Sequence, residues 1–234
     1  MSPSTLNLSV AVLAFVGSHL VLSSIPIRTP IRSKIGKWPF AALYSAVSLV
    51  TFYFMLNAYG QIQSVDMWNV PTGLRHAALT LMLIAVILIV HGAVTINPGT
   101  FAMEQAGLKK PPSGIHKITR HPVSWGIIIW GLSHILANSD ARGLILFSGM
   151  VILSFFGAKN IDRKRKAEFG TEWESYEKQT SFYPFHSILQ GRTTFTKTDI
   201  SWSKTVLALI IYAILLWVHP SLFGVDVIPV FTGN

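Results

Sequence analysis

Of 234 residues, half are hydrophobic and only 12% are charged, about half the charged share of an ordinary soluble domain. That balance excludes a soluble domain with a conventional polar surface, and the absence of cysteine excludes a disulfide framework and any thiolate site. The net charge of +9 does not mark a nucleic-acid binder, because the basic residues flank apolar runs instead of forming a patch.

A membrane span needs about 20 mostly apolar residues. Six stretches qualify, near 6–24, 39–59, 76–96, 122–139, 142–158 and 204–224. The pattern predicts an all-α, multi-pass integral membrane helical bundle forming one domain over 1–234. The opening "MSPSTLNLSV" lacks the basic n-region of a signal peptide, so the first span is expected to remain as an anchor. Pro26, Pro30 and Gly36 are expected to break the chain after it. The fourth and fifth spans are short and separated by "NSDAR", which suggests a tight helical hairpin.

Arginine and lysine set the orientation. The first, third and fifth connections hold 17 of the 19 basic residues, and the other two hold Arg75 and Arg142. The basic connections are therefore expected on the cytoplasmic side of an inner membrane, with both termini on the opposite side. Within the last basic connection, Phe169, Trp173 and Tyr176 follow i, i+4, i+7 spacing. A cytoplasmic amphipathic helix over 160–180 is expected, as a lipid-surface anchor or as the cover of a site.

Histidine carries the functional signal. His76, His116, His186 and His219 lie near span ends or in connections, and His121 sits at the mouth of the fourth span. His19, His91 and His134 fall inside apolar runs, where an ionisable group is expensive and marks a functional site by default. The competing reading is an imidazole bonded to a neighbouring helix. His121 and His134 are 13 positions apart, about 20 Å along a helix, too far to share one ion. Trp130 and Gly131 precede His134 by one turn on its own face. Gly131 offers either an open wall for a flat ligand or a close helix contact. His19 pairs in depth with His91 or with His134, and depth alone does not choose. The spans hold no carboxylate, so a zinc site lacks ligands. Two imidazoles on separate helices suit haem iron, which without a C-x-x-C-H motif would be non-covalent haem b.

Three segments, "HLVLSSIPIRTPIRSKIGKWPFAALYSAVSL", "ITRHPVSWGIIIWGLSHILANSD" and "RKRKAEFGTEWESYEKQTSFYPF", together resemble the NnrU family. That family includes proteins linked to nitrogen-oxide respiration and the plant 15-cis-zeta-carotene isomerases. The resemblance implies a membrane protein holding haem b through two histidines, His19 and His134, which favours His134 over His91. It implies redox or cis–trans isomerase chemistry on a bilayer-soluble substrate, or a role with nitric oxide, and an electron donor as partner. One departure is visible: Gly131 stands where the plant enzymes carry a cysteine, so a thiol-based ligand switch is not available to this chain. A second, shorter resemblance links "RHP" and "EFGTEWESY" to isoprenylcysteine methyltransferases and membrane sterol reductases. It would place a soluble cofactor, such as S-adenosylmethionine, against Arg120, His121, Glu168 and Tyr176. The competing reading of Arg120 is an interfacial charge.

Overall fold

The computed structural model describes residues 2–100 and 102–227. Among these there is no strand, only one antiparallel bridge between Asp66 and Asp140. Five helices are long and apolar enough to cross a membrane: α1 (Pro3–Ser23), α3 (Lys37–Gly60), α4 (Thr72–Ala93), α7 (Ala141–Phe169) and α10 (Trp202–Phe223). The expected fourth span is the shorter α6 (Pro122–Ala137). Its 16 residues cover about 24 Å, less than a full hydrocarbon layer. Short helices α2 (Ile25–Ile35), α5 (Glu104–Leu108), α8 (Thr171–Gln179) and α9 (His186–Leu189) fill the connections.

Two expectations about breaks are corrected. The helix does break just before Pro26, at Ser24 in extended backbone, and again at Gly36, at φ +90°; Pro30 does not break it and lies inside α2. Pro26 falls in the first turn, where a missing N–H costs nothing. The expected helix over 160–180 is two helices, because Gly170, at φ +49°, ends α7 and starts α8. Phe169 therefore belongs to α7. Trp173 and Tyr176 on α8 are buried at 1% and 5% exposure, so they seal the protein and do not anchor it to lipid.

The main helices touch in the order α3, α1, α7, α6, α4, α10. Between α4 and α6 the backbones approach closely. A Cβ on Gly126 would lie 2.5 Å from Ile89 Cγ1 and 2.9 Å from the Ala85 carbonyl, and one on Gly92 would meet the Pro122 ring. Small residues permit this approach, the usual basis of helix association in lipid. Helix α1 packs on α7 through Leu8, Val12, Phe15, Val16, Leu146 and Phe147, with Val12 against Gly149. Asn160 near the far end of α7 donates to Leu20 O and Ser23 Oγ of α1, so α1 and α7 run in the same direction.

The basic connections gather at one end of the bundle, where Lys37 pairs with Glu104, Arg32 with Glu168 and Lys117 with Asp199. At the other end Ser64 donates to Asp140, Ser139 donates to Asp66, and Arg142 donates to Ile62 O. Asp140 also caps α7 through Gly143 N at 2.6 Å. These contacts fix the tight hairpin between α6 and α7.

Candidate functional site

His134 lies one turn from the end of α6, stacked on Phe147 of α7 with ring centroids 4.5 Å apart and beside Trp130 at 5.0 Å. Its Nδ1 bonds Trp130 O at 2.8 Å. His19 on α1 is built the same way: Nδ1 bonds Phe15 O at 2.9 Å, with Phe15 and Tyr44 around the ring at 4.3 and 5.3 Å. A donor at Nδ1 selects the tautomer in which Nε2 carries the lone pair. Neither Nε2 has a hydrogen bond among the described residues.

The two histidines are not in contact, and both border one apolar cluster that contains Phe15 and Phe147. Helix register sets their depths. Val12 is level with Gly149, so His134, beside Phe147, stands about nine α1 residues from His19, roughly 13 Å along the bundle. Helical side chains lean toward the N-terminus of their own helix. The Nδ1 bonds to carbonyls four residues earlier show both rings doing so. Since α6 runs antiparallel to α7 and hence to α1, the two leans point toward each other and shorten that interval from both sides.

Gly131 is not an open wall. A Cβ there would lie 2.8 Å from Val151 Cγ2 and 3.1 Å from Phe147 O, so the glycine seats α6 on α7. His91, the other expected partner for His19, is engaged elsewhere. Its Nε2 lies 3.1 Å from Thr205 Oγ1 on α10, and Lys204 donates to Thr95 Oγ1 beside it. Here the imidazole acts as helix glue.

Arg120 and His121 belong to a separate polar cluster at the basic end. The Arg120 guanidinium donates to both Asp162 oxygens, through Nε at 3.0 and 3.1 Å and Nη2 at 2.5 Å, and reaches Glu177 at 3.1 Å. His121 Nε2 donates to Asp162 Oδ1 at 2.6 Å. Arg120 N donates to Ser181 O, Thr119 Oγ1 and Trp125 Nε1 both donate to Phe182 O, and the Phe182 ring meets His121 and Trp125. The segment after α8 is thereby strapped to the mouth of α6. Burial raises the Tyr176 hydroxyl pKa far above its ordinary value, against the pull of Arg120, so it stays protonated.

Glu168 is not part of this group: it pairs with Arg32 and Arg165. The methyltransferase alternative needs Arg120 and Glu168 in one site, and their separate engagement leaves it without support. Asp162, Glu177 and Phe182 are the residues that sequence reasoning missed. Asp162 is the lone acid in "KNIDRKRK", a run that reads as a solvated basic face; its isolation there is the signal that marks it. Among the described residues no three His, Asp or Glu side chains gather as a metal site.

The family model described as "NnrU protein" matches residues 7–227. The chain is similar to the chloroplastic 15-cis-zeta-carotene isomerase of Arabidopsis thaliana, 30% identical over 192 residues, 77% of this chain and 50% of the relative. It is similar also to the enzyme of that name from Zea mays, 29% identical over 176 residues, 70% of this chain and 45% of the relative. The chain thus spans about half the length of these curated relatives. No solved structure matches it. With a family model covering nearly its full length, the chain belongs to the NnrU protein family.

Proposed function

We propose that this protein is a membrane-embedded isomerase that acts on a bilayer-dissolved polyene, with haem b held by His19 and His134. Similarity to two zeta-carotene isomerases over at least 70% of the chain supports the reaction class. The observation that carries the haem assignment is the matched pair of imidazoles. Each has Nδ1 bonded to its own helix backbone and Nε2 left for a metal, on antiparallel helices whose leans converge. The backbone bond fixes the tautomer and ring direction, the role that outer hydrogen bonds play at metal-ligating histidines. The donor set is two nitrogens with no thiol in the chain. When bound, the group would supply a redox-active iron able to polarise an unsaturated chain.

The residues of this chain would do the rest. Trp130, Phe147, Phe15 and Tyr44 pack the flanks of the two rings and would limit the approach of water to them. The proposed substrate is apolar, and the apolar runs of the spans, which on α7 stop before Asp162, carry no carboxylate to bind a charged one. Absorption spectroscopy of the purified protein tests this reading. A Soret band is expected, lost in His19→Ala and in His134→Ala and kept in His91→Ala. A colourless wild-type protein that still isomerises its substrate, or a band that only His91→Ala removes, would overturn it.

A further inference from the structure

We propose that the phosphate of an anionic phospholipid binds at the basic end of the bundle, between α2 and the polar extension of α7, held by Arg28, Lys164 and Arg165. The site is a chain of ion pairs with too few acids. Arg32 and Arg165 share Glu168 at 3.5 and 3.2 Å, and Arg165 and Lys37 share Glu104 at 3.4 and 3.6 Å. Two carboxylates thus face Arg28, Arg32, Lys37, Lys164 and Arg165. Arg28 and Lys164 make no side-chain hydrogen bond among the described residues. Both lie within electrostatic reach of Arg165 and of each other.

Arg165 is only 6% exposed, and its Nε is buried without a partner. A buried guanidinium donor left unpaired costs free energy, as do crowded cations partly removed from water. A phosphate would offset the crowding of these cations, and the guanidinium fork of Arg28, which no carboxylate among the described residues occupies, suits it. A free phosphate shares that chemistry, but the surroundings favour a lipid. Helix α2 follows α1 directly and leaves Ile25, Ile27 and Ile35 exposed beside Arg28 and Arg32. Apolar residues next to cations at a span end match an acyl chain next to its headgroup.

Native mass spectrometry and melting of the full-length protein in neutral detergent test the site. The probes are phosphatidylglycerol, phosphatidylcholine and inorganic phosphate, each titrated separately. Phosphatidylglycerol alone is expected to bind and to raise the melting temperature. The double variant Arg28→Gln/Lys164→Gln is expected to bind it on the order of tenfold or more weakly, since each cation near an anionic headgroup contributes several-fold. Lys109→Gln/Lys110→Gln, which removes the same charge elsewhere at that end, is expected to bind as wild type. Equal stabilisation by phosphatidylcholine or inorganic phosphate, an unchanged Arg28→Gln/Lys164→Gln protein, or an equal loss in Lys109→Gln/Lys110→Gln would overturn the proposal.

Discussion

Replacing Asp162 with asparagine removes the charge at the centre of the α6 mouth while keeping the side chain's shape. The carboxylate receives three contacts from Arg120 and one from His121. The Arg120 and Asp162 side chains are only 10% and 15% exposed. Hydrogen bonds to charged groups contribute about 1.5–3 kcal/mol each. Asparagine keeps one acceptor oxygen, so the fork collapses to a single bond and a second charged contact weakens. Glu177 remains beside the Arg120 guanidinium and softens the loss. The expected cost is about 3 kcal/mol, at the lower edge of the range for breaking a buried pair. Equilibrium unfolding in mixed micelles measures it, with Arg120→Met and the double variant completing a cycle. The double variant should lose about 2 kcal/mol less than the sum of the singles, since each partner's absence removes the other's penalty. The strap after α8 should also open, because Arg120 N and Thr119 hold Ser181 and Phe182, and limited proteolysis reports that. An Asp162→Asn protein within about 0.5 kcal/mol of wild type, or additive losses, would refute the reasoning.

His116 predicts an acid-sensitive stability. Its ring is 2% exposed with both nitrogens lacking partners, and burial, then the charges of His121 and Lys204, pulls its pKa from 6.5 to about 4. The unfolded chain takes a proton below about 6.5 that the folded chain refuses. The contribution is therefore whole above that pH and is lost as pH falls toward 4, at most about 3 kcal/mol. The pH profile of melting for wild type minus His116→Leu should show this slope, and parallel profiles would contradict it. Gly126→Val should lower stability by about 1–3 kcal/mol through overpacking, given the 2.5 Å approach to Ile89. Gly157→Ala, with nothing within 4 Å of the new Cβ, should be neutral or slightly stabilising by melting temperature.

The spans were legible because lipid demands continuous apolar runs, and α1, α3, α4 and α10 begin and end within about four residues of the expected limits. The length of α7 was not, because its last turns are polar and helical together, a combination that periodicity reads as a separate surface element. His134 and His19 stood out by being ionisable in apolar runs, a signal that needs no neighbours. Their surroundings were hidden: whether Gly131 opens onto a ligand or onto α7 depends on which helix faces it, and single-chain spacing carries no such information. The Arg120 cluster was half visible. "RHP" marked one side of it, while Asp162 and Glu177 lie more than 40 residues downstream, where only tertiary contact joins them.

The neighbour order also bears on biosynthesis. Helix α1 meets α3 early in synthesis, but its other large contact is α7, which the ribosome makes more than 100 residues later. The α1–α3 pair must wait in the bilayer, with Val12 and Val16 lacking their α7 neighbour Gly149, until the α6–α7 hairpin inserts beside it. Truncation before α7 would therefore remove the helix that joins α1 and α3 to α6 and α4.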